Sequence, residues 1–128
     1  MTLVGEVLRE ATRNTDGLGR WGGEEFVLVC PGASLSKAAN LAEKLRQRIM
    51  QTNFIPEDPI AVTASFGVAT TAAGGDFEDV FRQADQALYL AKSRGRNCVV
   101  TADEEQQRIT GTRKGALALV SGRFKLHR

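Results

Sequence analysis

The chain has 128 residues, the size of one domain, and roughly 65–70% of its unfolded surface can be buried without disulfide or metal staples. It is 42% hydrophobic and 25% charged with a net charge of +2, an ordinary globular composition that argues for neither a nucleic-acid polymer nor a membrane surface as partner. His127 is the single histidine, which excludes a His-based catalytic set or zinc site, and no apolar stretch approaches the ~20 residues of a membrane span.

In chain order, Leu3, Val4, Val7, Leu8 and Ala11 recur at helical spacing. Residues 14–17 are turn-rich. Leu18 to Trp21 and Phe26 to Cys30 read as the two arms of a hairpin, with Gly22-Gly23 as its two-residue turn. The second arm is apolar on both faces, as expected of a central strand. A helix follows from about Leu35 to Thr52, with Ala38, Leu41, Ala42, Leu45 and Ile49 inward and Lys37, Glu43, Lys44 and Arg46 exposed. Ser34 or Ser36 is its expected cap.

Ile60, Val62, Ala64, Phe66 and Val68 alternate, which predicts a half-buried strand. Asp76 caps a third helix, whose inward face is Phe77, Val80, Phe81, Ala84, Leu88 and Ala91 and whose stop is Gly95. Asn97 to Thr101 reads as a short last strand. Everything after Gln106 that carries charge is basic, and 102–128 reads as an appendage to a domain spanning 1–101: a linker, a short docking helix or foreign residues. Cys30 and Cys98, the two cysteines, lie in apolar runs and read as buried free thiols. No signal peptide is visible, which points to the cytoplasm.

The chemistry concentrates in Arg20-Trp21-Gly22-Gly23-Glu24-Glu25-Phe26. Two glycines leave bare backbone where a phosphate can approach, and two carboxylates beside them suit Mg²⁺ and the phosphates it carries. Out of context this is most often a surface hairpin with solvated charge. Two further blocks change the weighing: Ala64-Ser65-Phe66-Gly67-Val68-Ala69, and Ala84-Asp85-Gln86-Ala87-Leu88-Tyr89-Leu90-Ala91-Lys92 closed by Gly95-Arg96-Asn97.

In these three blocks, from about Val4 to Val100, the chain resembles the GGDEF domain, the diguanylate cyclase family of bacterial second-messenger signalling, in its GGEEF variant. The resemblance implies an α/β fold, an α+β sandwich of the palm-like nucleotide cyclase type, with a mostly antiparallel sheet flanked by helices. It implies condensation of two GTP molecules to cyclic di-GMP with Mg²⁺ (or Mn²⁺), two domains meeting face to face as a homodimer, and an upstream sensory or receiver domain. By resemblance Glu24 and Glu25 are the catalytic and metal-binding acids, Gly22 and Gly23 make room for the nucleotide, and Lys92 and Arg96 contact its phosphates. Four apart, Lys92 and Arg96 are expected to face one way as the helix ends; alone, they would merely offset the negative end of that helix.

Arg13-Asn14-Thr15-Asp16, followed by five residues and then Gly22, matches the family's inhibitory Arg-x-x-Asp site for product. An arginine fork grips guanine or a phosphate, and an aspartate accepts from guanine N–H groups. Lys44 or Arg46 is the candidate basic residue that completes such a site from a second domain. The family's first strand, with its metal-binding aspartate, and the helix after it, with a Phe-Lys…Asn-Asp pattern, have no counterpart in the sequence. The domain therefore reads as N-terminally truncated, with two sheet edges exposed where a central strand belongs. The alternative function is a catalytically inactive cyclic di-GMP receptor or dimerisation module.

Overall fold

The computed structural model describes residues 17–21, 25–51, 61–71, 76–102 and 117–127, and for 17–21, 61, 126 and 127 it describes the backbone alone. The expected hairpin is present as β1 (Gly17–Trp21) and β2 (Glu25–Pro31), paired antiparallel with Trp21 opposite Glu25. Three residues, 22–24, separate that last pair, so the connection is longer than the two-residue turn the glycines suggest. Residues 22–24 and the helix expected over 3–12 lie outside the described residues.

Two helices form where apolar spacing puts them. In α1 (Leu35–Gln51) the buried residues are Ala38, Ala42, Leu45 and Ile49, and Ser34 caps it by accepting from the Lys37 amide at 3.1 Å. In α2 (Phe77–Ser93) the buried stripe is Val80, Ala84, Ala87, Leu88 and Ala91. The Asp76 carboxylate accepts from the Glu78 amide at 3.0 Å. An N-cap of this kind contributes about 1 kcal/mol, so Asp76→Ala is expected to lower the unfolding free energy by that amount in a urea titration without changing its slope.

Between the helices runs β3 (Ala61–Thr71), and β4 (Val99–Thr101) pairs with it in parallel through the α2 crossover. β3 is not half-buried. Val62, Ala64, Phe66 and Val68 pack with α1, while Gly67 and Ala69, on the other face, lie under α2. A Cβ on Gly67 would collide with the Ala84 carbonyl oxygen and the Leu88 amide nitrogen, so the absent side chain is what lets the helix backbone rest on the strand.

The appendage expected over 102–128 is overturned by a fifth strand. β5 (Leu117–His127) lies antiparallel between β2 and β3, giving the sheet order β1-β2-β5-β3-β4. Its residues alternate strictly. Ala118, Val120 and Phe124 join the α1 core with Phe26 and Phe66, and Leu119 joins the α2 core with Val27 and Ala69. Gly122 is opposite both Phe26 and Phe66. The Phe26 ring lies over it, stacks on Phe124 at 4.9 Å and meets Phe66 edge-on at 5.7 Å. The centre of the sheet, where the resemblance puts the family's first strand, is thus occupied from the C-terminal side. The two interior edges expected to be exposed are covered, and β1 and β4 form the borders of the described sheet. The result is the expected sandwich, a mostly antiparallel sheet with a helix on each face.

Candidate active site at the hairpin base

Glu25, the one acidic residue on the described strands, opens β2 on the sheet face that α2 covers. Directly across from it on β5 is Arg123, and directly across from Arg123 on β3 is Ser65. With strands about 4.8 Å apart, one row of side chains crosses the sheet from the hairpin base to β3 over about 10 Å. The Arg123 guanidinium approaches the Glu25 carboxylate to 3.7 Å, both side chains being somewhat over a third exposed. The buried Ser65 hydroxyl accepts from the Asn97 amide at 2.9 Å. In the adjacent row Ser121, opposite Val27 and Gly67, is buried with no hydrogen-bond partner for its hydroxyl among the described residues.

The far end of the row is the turn after α2. Gly95, Arg96 and Asn97 have φ of 104°, 66° and 47°. Glycine and asparagine take this left-handed region at little cost, whereas arginine does so at about 1–2 kcal/mol. The Arg96 amide donates to the Ala91 carbonyl at 3.0 Å, which closes the helix end and fixes the Arg96 backbone. Lys92, half-buried, stands in the last turn of α2. Because the helix stops at Ser93, the four-residue spacing does not put Lys92 and Arg96 on one helical face. A rigid left-handed turn directs Arg96 instead.

Of the basic residues expected on the exposed side of α1, Lys44 is exposed and Arg46 is not. Arg46 holds Glu43 through two hydrogen bonds of 2.7 and 2.6 Å and donates to the Asn97 side-chain oxygen at 3.2 Å. These bonds from the guanidinium lower the Glu43 pKa against the opposing effect of burial, and the same bonds raise that of Arg46. Arg46 is therefore a clip between α1 and the turn that carries Arg96, a role its helical position did not reveal. Neither Cys30 nor Cys98 is in a disulfide, and Cys30 is buried and Cys98 half-buried. Gly22, Gly23, Glu24, Arg13 and Asp16 lie outside the described residues.

Among the described residues no three His, Cys, Asp or Glu side chains gather where a metal ion would sit. Glu25 faces a guanidinium instead of a second acid, so the described residues do not by themselves fit the expected Mg²⁺ (or Mn²⁺). No described helix is long and apolar enough to cross a membrane.

The family model described as "Diguanylate cyclase, GGDEF domain" matches residues 1–98. The chain belongs to the GGDEF family. The matched segment includes Glu25, Lys92 and Arg96 and stops short of β5. Among curated GGDEF relatives, diguanylate cyclase DgcP of Pseudomonas aeruginosa is 38% identical over 98 residues, 76% of this chain and 15% of that protein. Diguanylate cyclase DgcM of Escherichia coli K12 is 37% identical over 104 residues, 80% of this chain and 24% of that protein. The response regulator PleD of Caulobacter vibrioides is 40% identical over 85 residues, 63% of this chain and 19% of that protein. The chain thus spans between 15% and 24% of the length of these relatives. The active GGEEF domain of a diguanylate cyclase from Vibrio cholerae superposes with a TM-score of 0.68 at 28% identity, covering 79% of this chain and 65% of that one.

Proposed function

We propose that this is a diguanylate cyclase-type GGDEF domain of cyclic di-GMP signalling, whose complete form condenses two GTP molecules and binds the product at Arg13 and Asp16. The observation that carries the reading is the single row on the α2 face that links Glu25 to the Arg96–Asn97 turn, inside the segment that matches the family. In the complete domain Glu24 and Glu25 are the acids assigned to Mg²⁺ (or Mn²⁺), Glu24 also helps to deprotonate the 3′-hydroxyl, and Gly22 and Gly23 admit the nucleotide. A bound metal would neutralise the triphosphate. Lys92 and Arg96 would hold phosphate oxygens as charge-assisted donors. Of the residues considered for completing the inhibitory site, Lys44 is the better placed, because the Arg46 guanidinium is already held by Glu43 and Asn97.

Two GTP molecules joined in one product call for two domains, so the active assembly is a homodimer, in the cytoplasm and under an upstream sensory or receiver domain. The dimer follows from this chemistry; the interior sheet edges expected to be exposed are covered by β5. For the 128-residue chain itself, Arg123 opposite Glu25 favours the second reading, a receptor that binds cyclic di-GMP with little or no cyclase activity. Purified chain incubated with GTP and Mg²⁺ is expected to yield no cyclic di-GMP at an ordinary enzymatic rate by chromatography, while calorimetry is expected to detect cyclic di-GMP binding that Arg13→Ala abolishes. Ordinary turnover would refute the receptor reading, and unchanged binding in Arg13→Ala would refute the Arg13–Asp16 site.

A further inference from the structure

We propose that Arg123 is the resident cation of the Glu25 carboxylate, so that β5 suppresses divalent-metal binding at the base of the glycine hairpin. The inference rests on reading Glu25 as a cation-binding acid and goes beyond it, because it assigns a role to a strand outside the segment that matches the family. The two residues are register partners in adjacent strands, and their charged groups stand 3.7 Å apart. No other acid lies on any described strand, so among the described strands nothing offers Glu25 a second carboxylate to outweigh the guanidinium. Lys125, two residues along β5 on the same face, adds a second positive charge.

A hard divalent ion binds through several oxygen ligands and gains most from clustered negative charge. At Glu25 it would instead meet a guanidinium about 4 Å away. Even at the dielectric of water, repulsion between a unit charge and a divalent ion at about 4 Å is enough to weaken binding about tenfold or more. Arginine suits the role because its guanidinium stays protonated at any working pH. Both side chains being partly exposed, salt screens the effect, and it is read best at low ionic strength.

The experiment is a Mn²⁺ titration of the full 128-residue chain at low ionic strength, with free Mn²⁺ read by electron paramagnetic resonance. Four variants are compared with the parent: Arg123→Gln, Arg123→Met, Arg123→Lys and the double variant Arg123→Gln/Glu25→Gln. Arg123→Gln and Arg123→Met are expected to bind Mn²⁺ about tenfold more tightly than the parent, Arg123→Lys to stay near it, and the double variant to lose the gain. Circular dichroism checks that each variant is folded, and the two neutral replacements stand in for one another if one does not fold. If neither neutral variant binds more tightly, or if the gain persists without Glu25, the proposal is overturned. The Arg13-dependent binding of cyclic di-GMP is a separate readout, so failure here leaves the functional reading standing.

Discussion

A chain ending at Thr101 is expected to lose its cooperative thermal transition. β5 is the only link between β2 and β3 in the described sheet order, so its removal leaves two half-sheets with unpaired facing edges. It also withdraws Leu119, Val120 and Phe124 from the core, where Leu119 and Val120 are fully buried and Phe124 nearly so. Side chains of this kind contribute about 1.5–3 kcal/mol each on burial. Their sum, about 5–9 kcal/mol, is comparable to the whole stability of an ordinary domain, about 5–15 kcal/mol. The measurement is a far-UV circular dichroism melt of the shortened chain beside the parent, with dye binding to report exposed apolar surface. A sharp, parent-like transition would show that residues 117–127 are dispensable.

Gly67→Ala is expected to cost about 2–3 kcal/mol, the upper part of the range for overpacked interiors. The added Cβ meets the Ala84 carbonyl oxygen and the Leu88 amide nitrogen. Both are backbone atoms within α2, and neither can turn aside as a side-chain end would. The helix must lift from β3, which loosens the contact of Ala84 with Val27, Ala69 and Leu119. A fall in the urea midpoint at unchanged slope is the expected signature; an unchanged midpoint would show that α2 sits further from the strand than its backbone contacts indicate.

Much of this architecture is legible in the sequence because each element carries its own local signal. Asp76 before Phe77 and Ser34 before Leu35 mark helix starts that the structure bears out through side-chain caps. The hairpin arms around Gly22-Gly23 and the strand through Phe66 stand where their apolar runs put them. β5 was hidden for a definite reason. Read consecutively, its apolar stretch stops at Val120, and the basic residues beyond suggest solvent. The period of two nevertheless continues: Ala118, Val120, Gly122 and Phe124 share the α1 face, with Ser121, Arg123 and Lys125 on the other. A glycine under an aromatic ring and a phenylalanine between two cations do not register as apolar when read consecutively. They do when every second residue is read.

The candidate site was legible in its residue types and less so in its arrangement. Spacing alone placed Lys92 and Arg96 on one helical face, because nothing in Gly95-Arg96-Asn97 announces that three successive residues turn left-handed. Arg46 read as a solvated cation because helical periodicity cannot show that Asn97, distant in sequence, approaches from another element. Nothing in the sequence alone pairs Arg123 with Glu25, since pairing across strands depends on a register set only once β5 is in place.

The position of β5 also governs the order in which this protein can assemble. Among the described strands β5 comes last in the chain, so during synthesis β1–β2 and β3–β4 must wait apart, each with one edge unpaired. Closing the sheet joins β5 to partners far back in the chain, a non-local step that raises contact order and slows folding. Until then the nascent chain presents the surfaces that chaperones recognise and that aggregate when left waiting. Of the described strands, the one made last is thus the one that completes the core.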